Sequence, residues 1–412
     1  MIGRIQGCRS CGAEELLPVL DLGQTPLANR LLTANQLDQD EPTFPLELVF
    51  CAECTLVQIT ETVSPEVLFG DYVYFSSFSD TMVAHAKQLA TTLIPSLNLG
   101  PNSLVVEAAS NDGYLLQHYQ ARGIPVLGVE PAANVAQVAV EKRGIRTEVA
   151  FFGESTAKRL VDKGFRADLF HAHNVLAHVA DLNDFVRGIR TILTDTGVAV
   201  IEVPYLRNLI DHCEFDTIYH EHLCYFSLTA LDSLFRRNGL YIRHTEVVDI
   251  HGGSLRVTIG RMQQSETANE VVTKHLGLEQ HAGLLRYDYY KQFGFEVARL
   301  KRTLIGLLND LKASGKSIAA YGASAKGSTL LNFFGIGRDL LDFVVDRSTV
   351  KQGNFTPGTR LPILAPEALS QRKPSYVLLL TWNFADEILK QQSQFRETGG
   401  RFIIPIPDVR IV

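Results

Sequence analysis

Two Cys-x-x-Cys pairs, Cys8 with Cys11 and Cys51 with Cys54, stand near the start of the chain. A two-residue spacer lets both sulfurs of a knuckle face one point, so the doubled motif can close four thiolates into a tetrahedron around Zn²⁺. Sulfur then fills every position, no site stays open for water, and such a zinc holds the fold rather than catalyses. Four structural or redox thiols without metal are the other reading of the same spacing. Cys213 and Cys224 lie apart and read as plain residues.

A second concentration of chemistry is Asp216-Thr217-Ile218-Tyr219-His220-Glu221-His222. Such groups can take a proton from carbon and hold the enolate oxygen that results. Two histidines and a glutamate are also metal-ligand types, but His220 and His222 point oppositely on a strand and diverge on a helix, where ligands stand at i, i+4. A solvated polar turn is the bland alternative.

The string from Val105 to Gly113 reads as a buried strand, a tight turn and the start of a helix, with Glu107, Ala109, Asn111 and Gly113 at the turn. Backbone amides there can approach a ligand closely, and Glu130, ending the next strand, can accept from both hydroxyls of a ribose. A dinucleotide site would want Gly-x-Gly-x-x-Gly for its pyrophosphate, and this turn has only Gly113, so the cofactor need not carry phosphate. A plain turn with no ligand remains open on these residues alone. His171, His173, Asn174 and His178 stand at the end of a third strand, beside the same crevice. One histidine there can face a reacting group, while His171 and His173 read as satisfying local hydrogen bonds. Upstream, Tyr72-Val73-Tyr74-Phe75-Ser76-Ser77 either supplies a phenol from above or packs as an aromatic hinge.

The elements that must position these groups follow from pattern. The 412 residues call for two or three domains, and three are expected: 1–69, 70–262 and 263–412. The first is read as short strands punctuated by Pro18, Pro26, Pro42 and Pro45. In the second, a helix from Ser79 precedes strands at Leu104–Ala108, Val126–Glu130, Ala167–Ala172 and Val198–Glu202 alternating with helices, which predicts a parallel doubly wound sheet. Strands at 241–248 and 254–260 should form its antiparallel edge. A helical connector over 262–312 leads to a second α/β series with strands at 317–321, 341–346 and 376–381. With 46% hydrophobic and 20% charged residues and a net charge of −6, the chain is neither disordered nor basic, and no nucleic-acid partner is expected. No signal peptide or membrane-length apolar run is visible, and six cysteines, four of them in a metal spacing, are too few for a disulfide scaffold and suit a reducing compartment, so a cytoplasmic protein is expected.

These motifs together resemble the zinc-binding, S-adenosylmethionine-dependent sugar C-methyltransferases, typified by the C-3′-methyltransferase of the tetronitrose pathway. The resemblance covers nearly the whole chain. It rests on the paired cysteines, the Tyr-x-Tyr-x-Ser-Ser hinge and the Asn-Asp-Gly turn, in which Ala109 replaces the first glycine of a class I methyltransferase motif. It also rests on Tyr219-x-Glu221-His222, the His251-Gly-Gly253 turn, Tyr321-Gly-Ala-x-Ala-Lys326, and the Trp382-Asn383 pair.

The resemblance implies methyl transfer to a carbon next to the 4-keto group of a dTDP-linked deoxysugar. His222 would be the base, with Tyr219, Glu221, His178 and Tyr74 around it; His220, where related sequences can carry Asp, is given no role. S-adenosylmethionine would lie on Glu107, Ala109, Asn111, Gly113, Glu130 and Asn174. The C-terminal Rossmann-like domain would hold the sugar nucleotide, with Tyr321, Gly322, Ser324 and Lys326 at a helix start that can meet a diphosphate, and Asp346, Lys351, Trp382 and Asn383 on neighbouring loops. Rival expectations are an O- or N-methyltransferase, which needs a weaker base, and a noncatalytic zinc protein that senses S-adenosylmethionine. A monomer or simple homo-oligomer fits either.

Overall fold

A computed structural model describes residues 2–64, 68, 75–250, 252–262 and 269–412. Tyr72, Tyr74, His251 and the expected boundary at Phe69 lie outside the described residues.

The N-terminal sheet differs from the expectation of short strands. Strands Leu16–Pro26 and Thr43–Cys51, of 11 and 9 residues, pair antiparallel and continue into Val57–Ile59. Proline is tolerated because Leu16–Pro26 is an edge strand with register shifts beside Pro18 and before Gln24, while Pro45 precedes the Leu48–Phe50 stretch paired on both sides. The fourth strand of this sheet is Cys224–Tyr225, lent by the middle of the chain.

The central sheet runs Thr147–Glu148, Val126–Val129, Val105–Ala108, Ala167–His173, Leu193–Pro204, Ser254–Arg261, Leu240–Val248. The first five are parallel, and the hairpin of 240–261 forms the antiparallel edge, as the patterning predicted. Near-continuous apolar strands such as Val198–Val203 are buried on both faces, which is what covering helices on each side of a parallel sheet require. Strand order reverses between Val105–Ala108 and Ala167–His173, so a crevice opens outside their carboxyl ends.

Helices Glu270–Ala282 and Tyr287–Ala313 connect to the last sheet. The second buries Tyr290, Phe293, Val297, Leu300, Leu304 and Leu308 at helical spacing, and Phe50 of the first sheet stacks on Tyr290 with ring centroids 4.5 Å apart. The C-terminal sheet is ordered Ile363–Leu364, Val344–Val345, Ile318–Tyr321, Tyr376–Leu379, Arg401–Ile404, Arg410–Ile411, parallel except for the last strand. Its own reversal falls between Ile318–Tyr321 and Tyr376–Leu379. No helix of the described residues is long and apolar enough to cross a membrane.

Candidate active site

At the central crevice the turn after Val105–Ala108 alternates left-handed residues: Ala109 at φ 49°, Asn111 at 51° and Gly113 at 79°. The Glu130 carboxylate closes this turn, accepting from the backbone amides of Asn111 and Ala132 at 2.9 Å each. The Asn111 side chain accepts from the Ser76 amide at 2.9 Å, and Asp112 accepts from the Ser77 hydroxyl and pairs with Arg143 at 3.3 Å, so the hinge is pinned to the turn. Glu107 is buried with Oε2 unbonded among the described residues, as is the Ser110 hydroxyl. Burial with Glu130 and Asp112 nearby pushes the Glu107 carboxyl well above the usual carboxylate range. Orphaned acceptors beside an open turn are the features a polar nucleoside ligand would satisfy.

Asn174, at φ 55°, ends strand Ala167–His173 on the same edge. From the short helix Leu176–His178 that follows, His178 donates through Nδ1 to the Glu221 carbonyl at 2.6 Å. Burial holds this imidazole below its ordinary pKa, so it is neutral near pH 7. The loop 214–222 therefore leans on the edge where the parallel strands end.

Within that loop the expected cluster assembles. His222 donates from Nδ1 to the Thr217 carbonyl at 3.0 Å, which leaves Nε2 as the basic nitrogen, and the Tyr219 hydroxyl lies 3.0 Å from it. The two rings are 4.2 Å apart, and His178 meets His222 edge-on at 4.9 Å. Glu221 is buried, and burial pushes its carboxyl up to about 7 against the pull of a 2.7 Å hydrogen bond from Asn29. His220 turns away, donating from Nε2 to the Pro45 carbonyl at 3.0 Å, with Phe44 against its ring.

The second reversal gathers the C-terminal residues. Ser324 caps helix Ala325–Phe334 by accepting from Gly327, and Gly322 has φ 95° with the Thr381 side chain where a Cβ would go. Asp346 accepts from the Ala323 and Ser348 amides at 2.8 Å each, while Lys351 donates to the Ala323 carbonyl at 2.8 Å. Trp382 donates its indole N–H to Asp216 at 2.7 Å, and the Lys326 ammonium lies 4.9 Å from the Trp382 ring centre. Tyr321 is buried and Asn383 half-buried beside them. Thr329 donates to the Ile218 carbonyl, so this helix is fastened to the loop that carries His222.

The four cysteine sulfurs lie within 4.8 Å of one another, with Cys8 to Cys54 and Cys11 to Cys51 each at 3.5 Å. A Zn–S bond of about 2.3 Å implies tetrahedral edges of about 3.8 Å, so the set fits zinc.

Sequence reasoning missed one participant and saw others only in part. Asn29 comes from the first sheet and meets Glu221 across 192 residues, a separation with no local signal. Asp216 was grouped with the cluster but faces the C-terminal unit instead. His171 and His173 do satisfy hydrogen bonds, but as part of a buried row across the sheet: Tyr119, His171, His173 and Glu202 join at 2.9 Å each, and His85 and Arg256 close on Glu202. Period-two spacing on Ala167–His173 put both rings on one face, which was the available signal.

Three families match along the chain: a zinc binding domain over residues 8–69, a methyltransferase domain over 82–245, and a C-methyltransferase C-terminal domain over 249–407. The C-methyltransferase NovU of Streptomyces niveus is 36% identical over 408 residues, covering 99% of this chain and 97% of that protein. A ubiquinone biosynthesis O-methyltransferase of Azorhizobium caulinodans is 28% identical over 30% of this chain and 47% of its own length. A solved S-adenosylmethionine-dependent methyltransferase from Clostridium acetobutylicum aligns over 48% of this chain and 96% of its own, at 8% identity and a TM-score of 0.35. On its full-length match, the chain belongs to the C-methyltransferase family.

Proposed function

We propose that this enzyme uses S-adenosylmethionine to methylate the carbon next to the keto group of a nucleotide-linked 4-keto-deoxysugar, with C-3 of a dTDP-sugar as the favoured position. The observation that carries the reading is the tautomer of His222: Thr217 takes Nδ1–H and leaves Nε2, half-buried among phenol and imidazole, to accept a proton. A neutral imidazole suits a C–H made acidic by a neighbouring ketone. The cofactor supplies an electrophilic methyl on sulfonium. Tyr219 is set to donate to the enolate oxygen once the sugar is seated, and His178 orders the loop from behind. Glu221, with Oε1 engaged by Asn29, has Oε2 for a sugar hydroxyl.

The cofactor would take the edge formed by Glu107, Ala109, Asn111, Gly113, Glu130 and Asn174. The sugar nucleotide would reach from there toward Tyr321, Gly322, Ser324, Lys326 and Trp382, with Asp346 and Lys351 shaping that turn rather than meeting the ligand, and Asn383 at its rim. In this reading residues 1–69 carry zinc, 70–262 bind the cofactor and 263–412 hold the nucleotide.

Incubation with S-adenosylmethionine and a dTDP-4-keto-deoxysugar should give a product one CH₂ heavier, whose methyl carbon is bonded to carbon by NMR. In D₂O without cofactor, His222 should exchange the C-3 proton of the sugar. A methyl found on oxygen or nitrogen, or tight binding of both ligands without transfer, would overturn the proposal.

A further inference from the structure

The zinc-bearing unit does more than stand beside the catalytic loop. Its two long strands are joined by residues 27–42, and this arm touches both other units. Leu27 and Ala28 are buried, Leu32 exchanges backbone hydrogen bonds with Phe355 at 2.9 and 2.8 Å, and Arg360 donates to the Leu37 and Gln39 carbonyls. Between these anchors the chain turns tightly, with Arg30 N on the Leu27 carbonyl at 3.1 Å and Leu31 N on the Asn29 carbonyl at 3.0 Å. The turn presents Asn29, itself exposed, to the nearly buried Glu221, and its Nδ2 donates to Oε1 at 2.7 Å.

We infer that Asn29 is a positioning residue for the methyl transfer: from the zinc-bearing unit it fixes the Glu221 carboxylate so that Oε2 is left for the substrate. Among the described residues Asn29 is the hydrogen-bond partner of that carboxylate, and its bond to Oε1 biases the rotation of the group. A buried carboxylate with one oxygen bound is held in one plane, and an amide N–H favours its ionised form without adding a second charge. The titratable groups nearby, Tyr219 and His222 on the same loop and His178 behind it, leave the Glu221 ionisation to burial and Asn29. This assignment rests on the proposed role of Glu221 in the reaction.

The test compares wild type, Asn29→Ala and Asn29→Asp in the full-length, zinc-loaded protein. Two readouts are needed: the pH profile of methyl transfer, and the titration of Glu221 followed by carboxyl ¹³C NMR or difference infrared spectroscopy with Glu221→Gln as the blank. Loss of a charge-assisted hydrogen bond should move both the carboxyl titration and the acid limb upward by about one pH unit in the alanine variant. Asn29→Asp, which puts a second carboxylate in the same place, should move them further. At pH 7 turnover should fall about fivefold, with cofactor affinity and zinc content unchanged. If neither readout moves in either variant, the inference is overturned. Should the titration move while the rate profile stays, the contact stands, and it is the assignment of Glu221 to the reaction that falls.

Discussion

His222 and Glu221 are adjacent, yet their surroundings ask opposite things of them. His222 spends one nitrogen on a backbone carbonyl and, in the proposed reaction, uses the other as the base, so replacing the ring by an amide should remove that base while preserving the loop. For His222→Asn, turnover should fall by roughly 10²–10⁴, with the cofactor dissociation constant near wild type by calorimetry. An unchanged rate would take His222 out of the reaction. Glu221 titrates from a folded-state value of about 7 against an ordinary 4.5. A raised carboxyl favours the folded state while protonated, and that contribution drains away as pH rises from about 4.5 through 7. Glu221→Gln, which cannot ionise, should therefore melt progressively above wild type between pH 5 and 8, by on the order of 3 kcal/mol at the upper end. Parallel melting curves for the two proteins across that range would mean the carboxyl is not buried as described. That Tyr219 and His222 stand together was legible three residues apart in sequence, whereas the pull on Glu221 comes from an asparagine no spacing argument could reach.

The turn after Val105–Ala108 shows how an element can keep its shape without the expected residue. Ala109 occupies the left-handed region where the related motif has glycine, at a cost of about 1 kcal/mol, and the turn still forms because Glu130 gathers its amides. Ala109→Gly should thus leave melting within about 1 kcal/mol of wild type and cofactor affinity within a few-fold. Gly113 is different: at φ 79° its added Cβ would also stand 2.5 Å from Ile145 Cδ1. Gly113→Ala should lower stability by roughly 1–3 kcal/mol and loosen the cofactor, measured by thermal melting and calorimetry side by side. Equal behaviour of the two variants would mean the turn is not held as seen. Hydrophobic runs of four or more residues located both doubly wound sheets in advance. Thr147–Glu148 and Cys224–Tyr225 escaped because two residues carry no period, and the prolines of the first sheet read as strand breaks because an edge strand cannot be told from a loop before its partner is known.

The proposed zinc site belongs to the scale of the whole molecule. The Cys8 knuckle docks on the central unit, where Asn183 and Arg237 donate to the Ser10 carbonyl, and the sheet behind it is completed by Cys224–Tyr225 from just beyond the His222 loop. The same unit sends Pro45 to His220 and Asn29, from the arm between its strands, to Glu221, while the proposed cofactor edge is built from Glu130, Asn111 and their own strands. Without a cation the four clustered thiolates repel one another, leaving contacts such as Arg9 N to Gln58 to hold the knuckles together, so the first sheet should loosen before the central one. Chelation, or Cys8→Ser, is therefore expected to abolish methyl transfer and lower the first melting transition while cofactor binding by calorimetry stays within a few-fold. Metal content by elemental analysis should track activity as zinc is returned. Full turnover in protein shown to be free of zinc would mean that the catalytic loop keeps its shape without its N-terminal support, and the sheet would then be an appendage rather than one wall of the site.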